Sequence, residues 1–369
     1  MKNILKIISL LFLIIGCSDK ESNIIKIGLI EPLTGDLAMY GKPISEGALV
    51  AIAEANKKST KYKFKLVIED TKSETKQAIT AVKKLINFDN ISFIVGPGIS
   101  SQMLAIAPIV EKNEVLTIGT TCENSKISQA GSYIFRVYPS YLLHGKTLAE
   151  YTINDLKLKK AAIILINNDF GIDISKEFKK EFESKGGLVV AEESYTDNTT
   201  DFRLILTKLK EKNPDIIFMS SYIAEYPRIL KQAKEIGLNS RFLASSSFYD
   251  EKILKLSGST AEGVIASTSL YDIESKEKVI NDYVKKYKKL FNQKPDYWSG
   301  YGYDATNLII SSILESENNV KEAINYLNEI NSFKGVTGSL SFDKNGDVFT
   351  DIRIVEVKDS KFETVKIIN

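Results

Sequence analysis

The chain has 369 residues, of which 43% are hydrophobic and 26% charged, an ordinary globular composition long enough for two separate cores. Its formal charge of +2 is Lys2 and Lys6; the remaining basic residues balance the 47 acidic ones. Such a balance gives no field for nucleic acid, and one histidine with two cysteines leaves little for a metal site or a histidine relay, so neither metal nor cofactor is expected.

The chain opens on Lys2 and Lys6 beside an apolar stretch too short to span a bilayer comfortably, ending at Gly16-Cys17. Ile14-Ile15-Gly16-Cys17 resembles the lipobox of bacterial lipoproteins, in which the leader (here 1–16) is removed and the cysteine sulfur carries diacylglycerol. The resemblance implies a lipid anchor at Cys17, with palmitate-type acyl chains, a polar tether over 17–23, and a body in the bacterial cell envelope on the extracytoplasmic side of a membrane. Cys122 is then left without an intrachain partner, and the fold cannot rely on a disulfide.

From Ile24 onward, short β-branched runs alternate with longer amphipathic ones. Ile25–Ile30, Lys65–Ile68, Ile91–Val95 and Val115–Ile118 read as buried strands, with helices over Ser45–Ala55, Lys76–Leu85 and Ser101–Glu111 between them. The pattern restarts with strands at Lys160–Ile166, Leu188–Glu192, Asp215–Met219 and Phe242–Ala244, and helices near Ser175–Glu183, Phe202–Lys210 and Tyr226–Ile236. Alternation of this kind predicts an α/β fold of two doubly wound lobes with parallel sheets and right-handed crossovers. Helices over Val279–Phe291, Tyr303–Glu315 and Val320–Ile330 follow without a sheet of their own and must pack on an existing lobe, ahead of a closing meander at 338–367.

Ligands of open α/β sheets bind where strand ends feed helix N-termini. Four such loops stand out: Glu31–Gly41, ending in Tyr40 and a glycine; Gly96–Ser101, where Ser100 can cap the helix beside free N–H groups; Gly119–Ser125, with Thr121, Cys122 and one acid, Glu123; and Asn167–Gly171, carrying Phe170.

Ile27–Gly41, Gly47-Ala48, Lys76–Ala78, Ile94–Pro97, Phe135-Arg136, Asp169–Gly171, Glu262-Gly263 and Phe342–Asp347 together resemble the branched-chain amino-acid binding proteins, collinearly from about Ile24 to the C-terminus. The resemblance implies the type I periplasmic-binding-protein fold, in which three crossings join two lobes that close over a small ligand for an ABC permease in the membrane. The crossings would fall near Tyr138–Tyr141, Ser267–Leu270 and Phe333–Gly338. Lobe one would then be 24–139 plus 268–334 and lobe two 140–267 plus 335–369, with the chain acting as a monomer. It also implies that Ser100 and its loop hold the ligand carboxylate, that the Thr121 carbonyl faces the ammonium, and that Tyr40, Phe170, Tyr222 and Tyr303 contact the ligand.

Two departures bear on the ligand. Where the relatives place a carboxylate after the strand ending at Ala244, this chain has Ser246, with Asp250 and Glu251 further on. It also carries Glu123 where they usually carry a threonine. Either the acid has moved to the other lobe, facing an apolar amino acid, or the ligand is not an α-amino acid and is an amide or small carboxylate. A ligand-sensing receptor on the same fold is the other class of function. Catalysis is not expected, because nothing places Cys122 and His144 together and Gly98–Gln102 lacks the second glycine of a nucleophile elbow. Asp343–Asp347 reads as a hairpin turn, its glycine falling at the fourth and not the sixth position of a calcium loop.

Overall fold

A computed structural model describes residues 23–196 and 199–368. The leader and Cys17 lie outside the described residues. Among the described residues, no helix is long and apolar enough to cross a membrane.

The first lobe is built on a parallel sheet of β1 (Asn23–Glu31), β2 (Tyr62–Asp70), β3 (Phe93–Val95), β4 (Leu116–Gly119) and β5 (Ile134–Arg136), in the order β2-β1-β3-β4-β5. Its strands β3 and β4 are short and wholly buried because helices cover both faces. The first helices are α1 (Ala38–Lys58), α2 (Thr75–Asn87) and α3 (Ser100–Lys112), of which α2 buries Ala78, Ala81, Val82 and Leu85 at helical spacing. The second lobe begins with α4 (Tyr141–Asn154). Its sheet takes β6 (Lys160–Ile166), β7 (Leu188–Tyr195), β8 (Ile216–Ser220), β9 (Arg241–Ala244) and β10 (Ile265–Ser269), with α5 (Asp169–Ser184), α6 (Arg203–Glu211), α7 (Tyr226–Glu235) and α8 (Glu251–Ser257) among them.

The chain then returns to lobe one as α9 (Lys278–Phe291), α10 (Ser299–Glu315) and α11 (Val320–Glu329). Residues of all three, among them Tyr283, Tyr301, Ile309 and Leu327, bury into the same core as β1 and α1. Helix α10 lies against α1 with almost no side chain between them. A methyl group at Gly47 would come within 1.9 Å of the Ser299 carbonyl oxygen, and one at Gly302 within 2.0 Å of that of Ile44. This glycine contact sets the N-termini of α1 and α10 side by side, which matters for the site.

The last third departs from expectation in one respect. The sequence places residues from 335 onward in lobe two, with a crossing near Phe333–Gly338. Instead β11 (Phe333–Lys334), β12 (Ser339–Phe342) and β13 (Val348–Phe349) form a small antiparallel sheet on lobe one, where Leu340, Phe342 and Val348 enter its core. The cause is local: Asp304 on α10 accepts hydrogen bonds from the Val336 and Thr337 N–H groups (3.0 and 2.8 Å) and holds this segment down. The chain crosses only after Phe349, and β14 (Ile352–Lys358) and β15 (Lys361–Ile368) complete the second sheet in the order β15-β14-β10-β9-β8-β6-β7. β14 pairs antiparallel with β10, a strand at the position where only a crossing is expected from sequence.

Candidate functional site

Both sheets have a switch point where the strand order reverses: between β1 and β3 in lobe one, and between β6 and β8 in lobe two. The loops leaving these strands face one another, and the candidate site is built from them.

In lobe one, Asp70 fixes the loop after β1, accepting from the Leu33 and Thr34 N–H groups and the Thr34 hydroxyl (2.9, 3.2 and 2.6 Å). Helix α1 starts at Ala38, earlier than its apolar period indicated, so Tyr40 stands in its first turn. Beside it Trp298, at the start of α10, meets the Tyr40 ring edge-on at 5.0 Å, and Tyr138 lies 6.3 Å beyond. Trp298 was not singled out from sequence; its signal was available, as the one tryptophan of the chain, directly ahead of a long helix.

Ser100 does not cap α3. Ile99 holds that position, and Ser100 is the first helical residue. Its Oγ accepts from the Glu123 and Asn124 N–H groups, each at 3.2 Å, so it ties the helix start to the next loop. The Thr121 hydroxyl makes a second tie, donating to the Gly98 carbonyl at 3.2 Å. Beneath this loop lies Arg136, fully buried, donating to the carbonyls of Cys122 (3.4 Å) and Asn124 (2.8 Å) while paired with Asp347 at 2.7 Å. Cys122 points into the core under Gly119, and burial pushes its thiol up to about 12, which makes it inert.

Glu123 places its buried carboxyl on the lobe-one side of the cleft. One carboxylate oxygen, Oε2, is buried without a hydrogen-bond partner in the protein. Burial raises its pKa to about 7, with the Arg136 charge and the Ser246 hydroxyl of lobe two pulling the other way. In lobe two the Ser245 and Ser247 hydroxyls are occupied with Tyr226 (2.8 and 3.0 Å), leaving Ser246 to face Glu123 and Tyr138. Asp250 caps α8 by accepting from the Lys252 N–H at 2.7 Å, and its charge reaches Tyr40.

The opposite wall comes from the lobe-two switch point. Asn168 caps α5 by accepting from the Gly171 N–H at 3.0 Å, starting that helix well before its expected Ser175 and putting Phe170 in its first turn. Phe170 stacks on Tyr222 (5.1 Å, 16°) and meets Tyr141 edge-on at 5.7 Å.

The structure thus places Tyr40, Ser100, Thr121 and Glu123 on the lobe-one side, Cys122 beneath them in the core, and Phe170, Tyr222 and Ser246 across the cleft. Tyr303 stands apart. It packs on Tyr283 at 4.6 Å, donates to Glu54 at 2.7 Å, and lines a cavity of about 510 Å³ on lobe one bounded by α1 and α10. His144 is likewise remote from Cys122, its Nδ1 lying 3.0 Å from the Ser267 hydroxyl. Among the described residues, no group of three or more histidine, cysteine, aspartate or glutamate side chains could hold a metal.

Two doubly wound lobes with polar anchors on one side of a cleft and aromatic walls on both define a solute receptor of the type I periplasmic-binding fold. The model of the periplasmic binding protein family matches residues 24–361, and the chain belongs to that family, whose members are receptors and not enzymes. It is 30% identical to the leucine-, isoleucine-, valine-, threonine- and alanine-binding protein of Pseudomonas aeruginosa, over 88% of this chain and 87% of that one. Among solved structures it is similar to a leucine binding protein from Thermotoga maritima (25% identity, TM-score 0.79, 94% and 99% of the two chains). It shares its fold equally with a solute binding protein from Rhodopseudomonas palustris in complex with 3,4-dihydroxybenzoic acid (24% identity, TM-score 0.79, 94% and 97%).

Proposed function

We propose that this protein captures an apolar α-amino acid of the leucine type between its lobes and delivers it to an ABC importer. The observation that carries this reading is the placement of Glu123. Its backbone N–H is bonded to Ser100, the first residue of α3, and its carboxylate keeps an unpartnered oxygen, so on this reading a group suited to an ammonium belongs to the same loop cluster as a helix N-terminus suited to a carboxylate. Tyr40, Trp298, Phe170 and Tyr222 would take the side chain. The Pseudomonas relative's name agrees with such a ligand.

Titration calorimetry with L-leucine and with 4-methylpentanoate, which lacks the ammonium, tests this. A charge-assisted contact contributes about 1.5–3 kcal/mol, so Glu123→Gln is expected to weaken leucine roughly ten- to a hundredfold and to spare the analogue. Equal losses for both would remove the ammonium from this site. One observation favours a second reading: a carboxyl with a pKa near 7 also suits a hydroxyl or amide group, and the Rhodopseudomonas structure holds an aromatic acid. Binding of hydroxybenzoates with no response to leucine would select it.

We further propose that Cys17 carries the lipid that keeps the receptor at the membrane, on the strength of the Gly16-Cys17 end of its apolar leader. Labelling with a palmitate analogue should mark the wild type and not Cys17→Ser. An unlabelled wild type would refute the anchor.

A further inference from the structure

The last residue of β1, at the lobe-one switch point, is a glutamate that the site as described does not use. Glu31 is wholly buried. Its Oε1 accepts from the Thr120 hydroxyl at 2.6 Å, at the root of the Glu123 loop, and the carboxyl packs against Gly98, in the Ser100 loop. The fit is close: a methyl at Gly96 would come within 2.8 Å of Oε1, and one at Gly98 within 3.3 Å of Oε2. That second oxygen is buried and has no hydrogen-bond partner in the protein. Among the described residues, no lysine or arginine forms an ion pair with Glu31.

We propose that Glu31 is a positioning residue for the ligand: it ties the two anchor loops together, and does so as a neutral acid. An ionised carboxylate, buried and unpaired, would be costly in itself. It would also repel the ligand carboxylate held one residue beyond Gly98–Ile99, at Ser100. A neutral acid spares that anion while keeping both loops in register. This inference rests on the reading that Ser100 and its loop hold a ligand carboxylate.

The groups around Glu31 do not supply a compensating charge. Asp70, its partner in register on β2, is taken up by Leu33 and Thr34. From the loop after β4 comes the neutral Cys122 thiol, and Arg136 on β5 is spent on Asp347 and the loop carbonyls. Burial accordingly raises the Glu31 pKa to about 8, against the lowering effect of Thr120 and Gly98.

Two measurements test the proposal. In ligand-free protein labelled with carboxyl-13C glutamate, the Glu31 resonance, identified by its loss in Glu31→Gln, should titrate near pH 8. In leucine titrations, Glu31→Gln should bind within about threefold of wild type at pH 7 and lack the extra loss of affinity that wild type shows from pH 8 to 9. Deprotonation of leucine itself affects both proteins alike and cancels in their ratio. Glu31→Ala should bind at least tenfold more weakly at pH 7; if it fails to fold, the comparison with glutamine still decides. A Glu31 carboxyl already ionised at pH 7, or identical alkaline profiles for wild type and Glu31→Gln, would overturn the proposal. A resonance titrating near pH 8 in a protein that ignores leucine would support a neutral Glu31 and sink the amino-acid reading instead.

Discussion

On the proposed function, Glu123 trades stability for binding. Its folded pKa of about 7 lies above the ordinary carboxylate value, so the folded state holds the proton more tightly than the unfolded one. The ligand-free fold therefore loses stability as pH rises from the unfolded pKa near 4.5 through 7, and keeps the full benefit below that window. Ligand binding has the opposite sign, because an ammonium needs the carboxylate. If only the ionised form binds, apparent affinity scales with the ionised fraction, so leucine should bind roughly eightfold more weakly at pH 6 than at pH 7.5. Calorimetry across that interval checks it, and Glu123→Gln should flatten the profile. A flat wild-type profile would mean that Glu123 does not meet the ammonium. None of this was readable from sequence beyond the presence of an acid in the loop. The pKa depends first on burial between the lobes, which raises it, and then on Arg136 lying beneath and Ser246 opposite, 13 and 123 positions along the chain, which hold it back.

At the scale of elements, what was legible followed the apolar pattern. The central strands and most helices announced themselves because covered parallel sheets need continuous β-branched runs and their helices need one apolar face. Strand β10 escaped notice because Ser267, Thr268 and Ser269 are polar, yet they are buried, their hydroxyls lying within hydrogen-bonding distance of His144, Tyr297 and Tyr301. Strand β5 escaped through brevity. The helix starts at Ala38 and Asp169 were missed for another reason. Caps and first turns are polar or mixed, so the periodic signal begins a turn or more late, and those first turns carry Tyr40 and Phe170. Tyr303 shows the converse error. A tyrosine at the right place in a motif faces wherever its helix rotation points it, and α10 turns Trp298 toward Tyr40 and Tyr303 toward Glu54.

On the scale of the whole molecule, the two lobes meet through contacts beyond the connecting segments. Asp173, on α5 of lobe two, accepts from the Ser125 hydroxyl of lobe one at 2.8 Å and from the Tyr141 hydroxyl at 2.9 Å, through the same oxygen. The Glu123 carbonyl accepts from the Tyr141 N–H at 3.2 Å, so the Glu123 loop is tied to lobe two through its backbone as well. Receptors of this architecture work by hinge closure, and a ligand shifts that equilibrium only by its differential affinity for the closed state. The Ser125–Asp173 contact exists only when the lobes are together, so it biases the ligand-free protein toward closure and leaves less for the ligand to do. Asp173→Ala should therefore raise the radius of gyration of the ligand-free protein in small-angle scattering, enlarge the contraction that leucine produces, and weaken leucine by a few fold, on the order of the 0.5–1.5 kcal/mol of one net hydrogen bond. Its melting temperature should barely move, since each lobe keeps its own core. Indistinguishable scattering from wild type and variant, with and without leucine, would show that this contact does not govern closure.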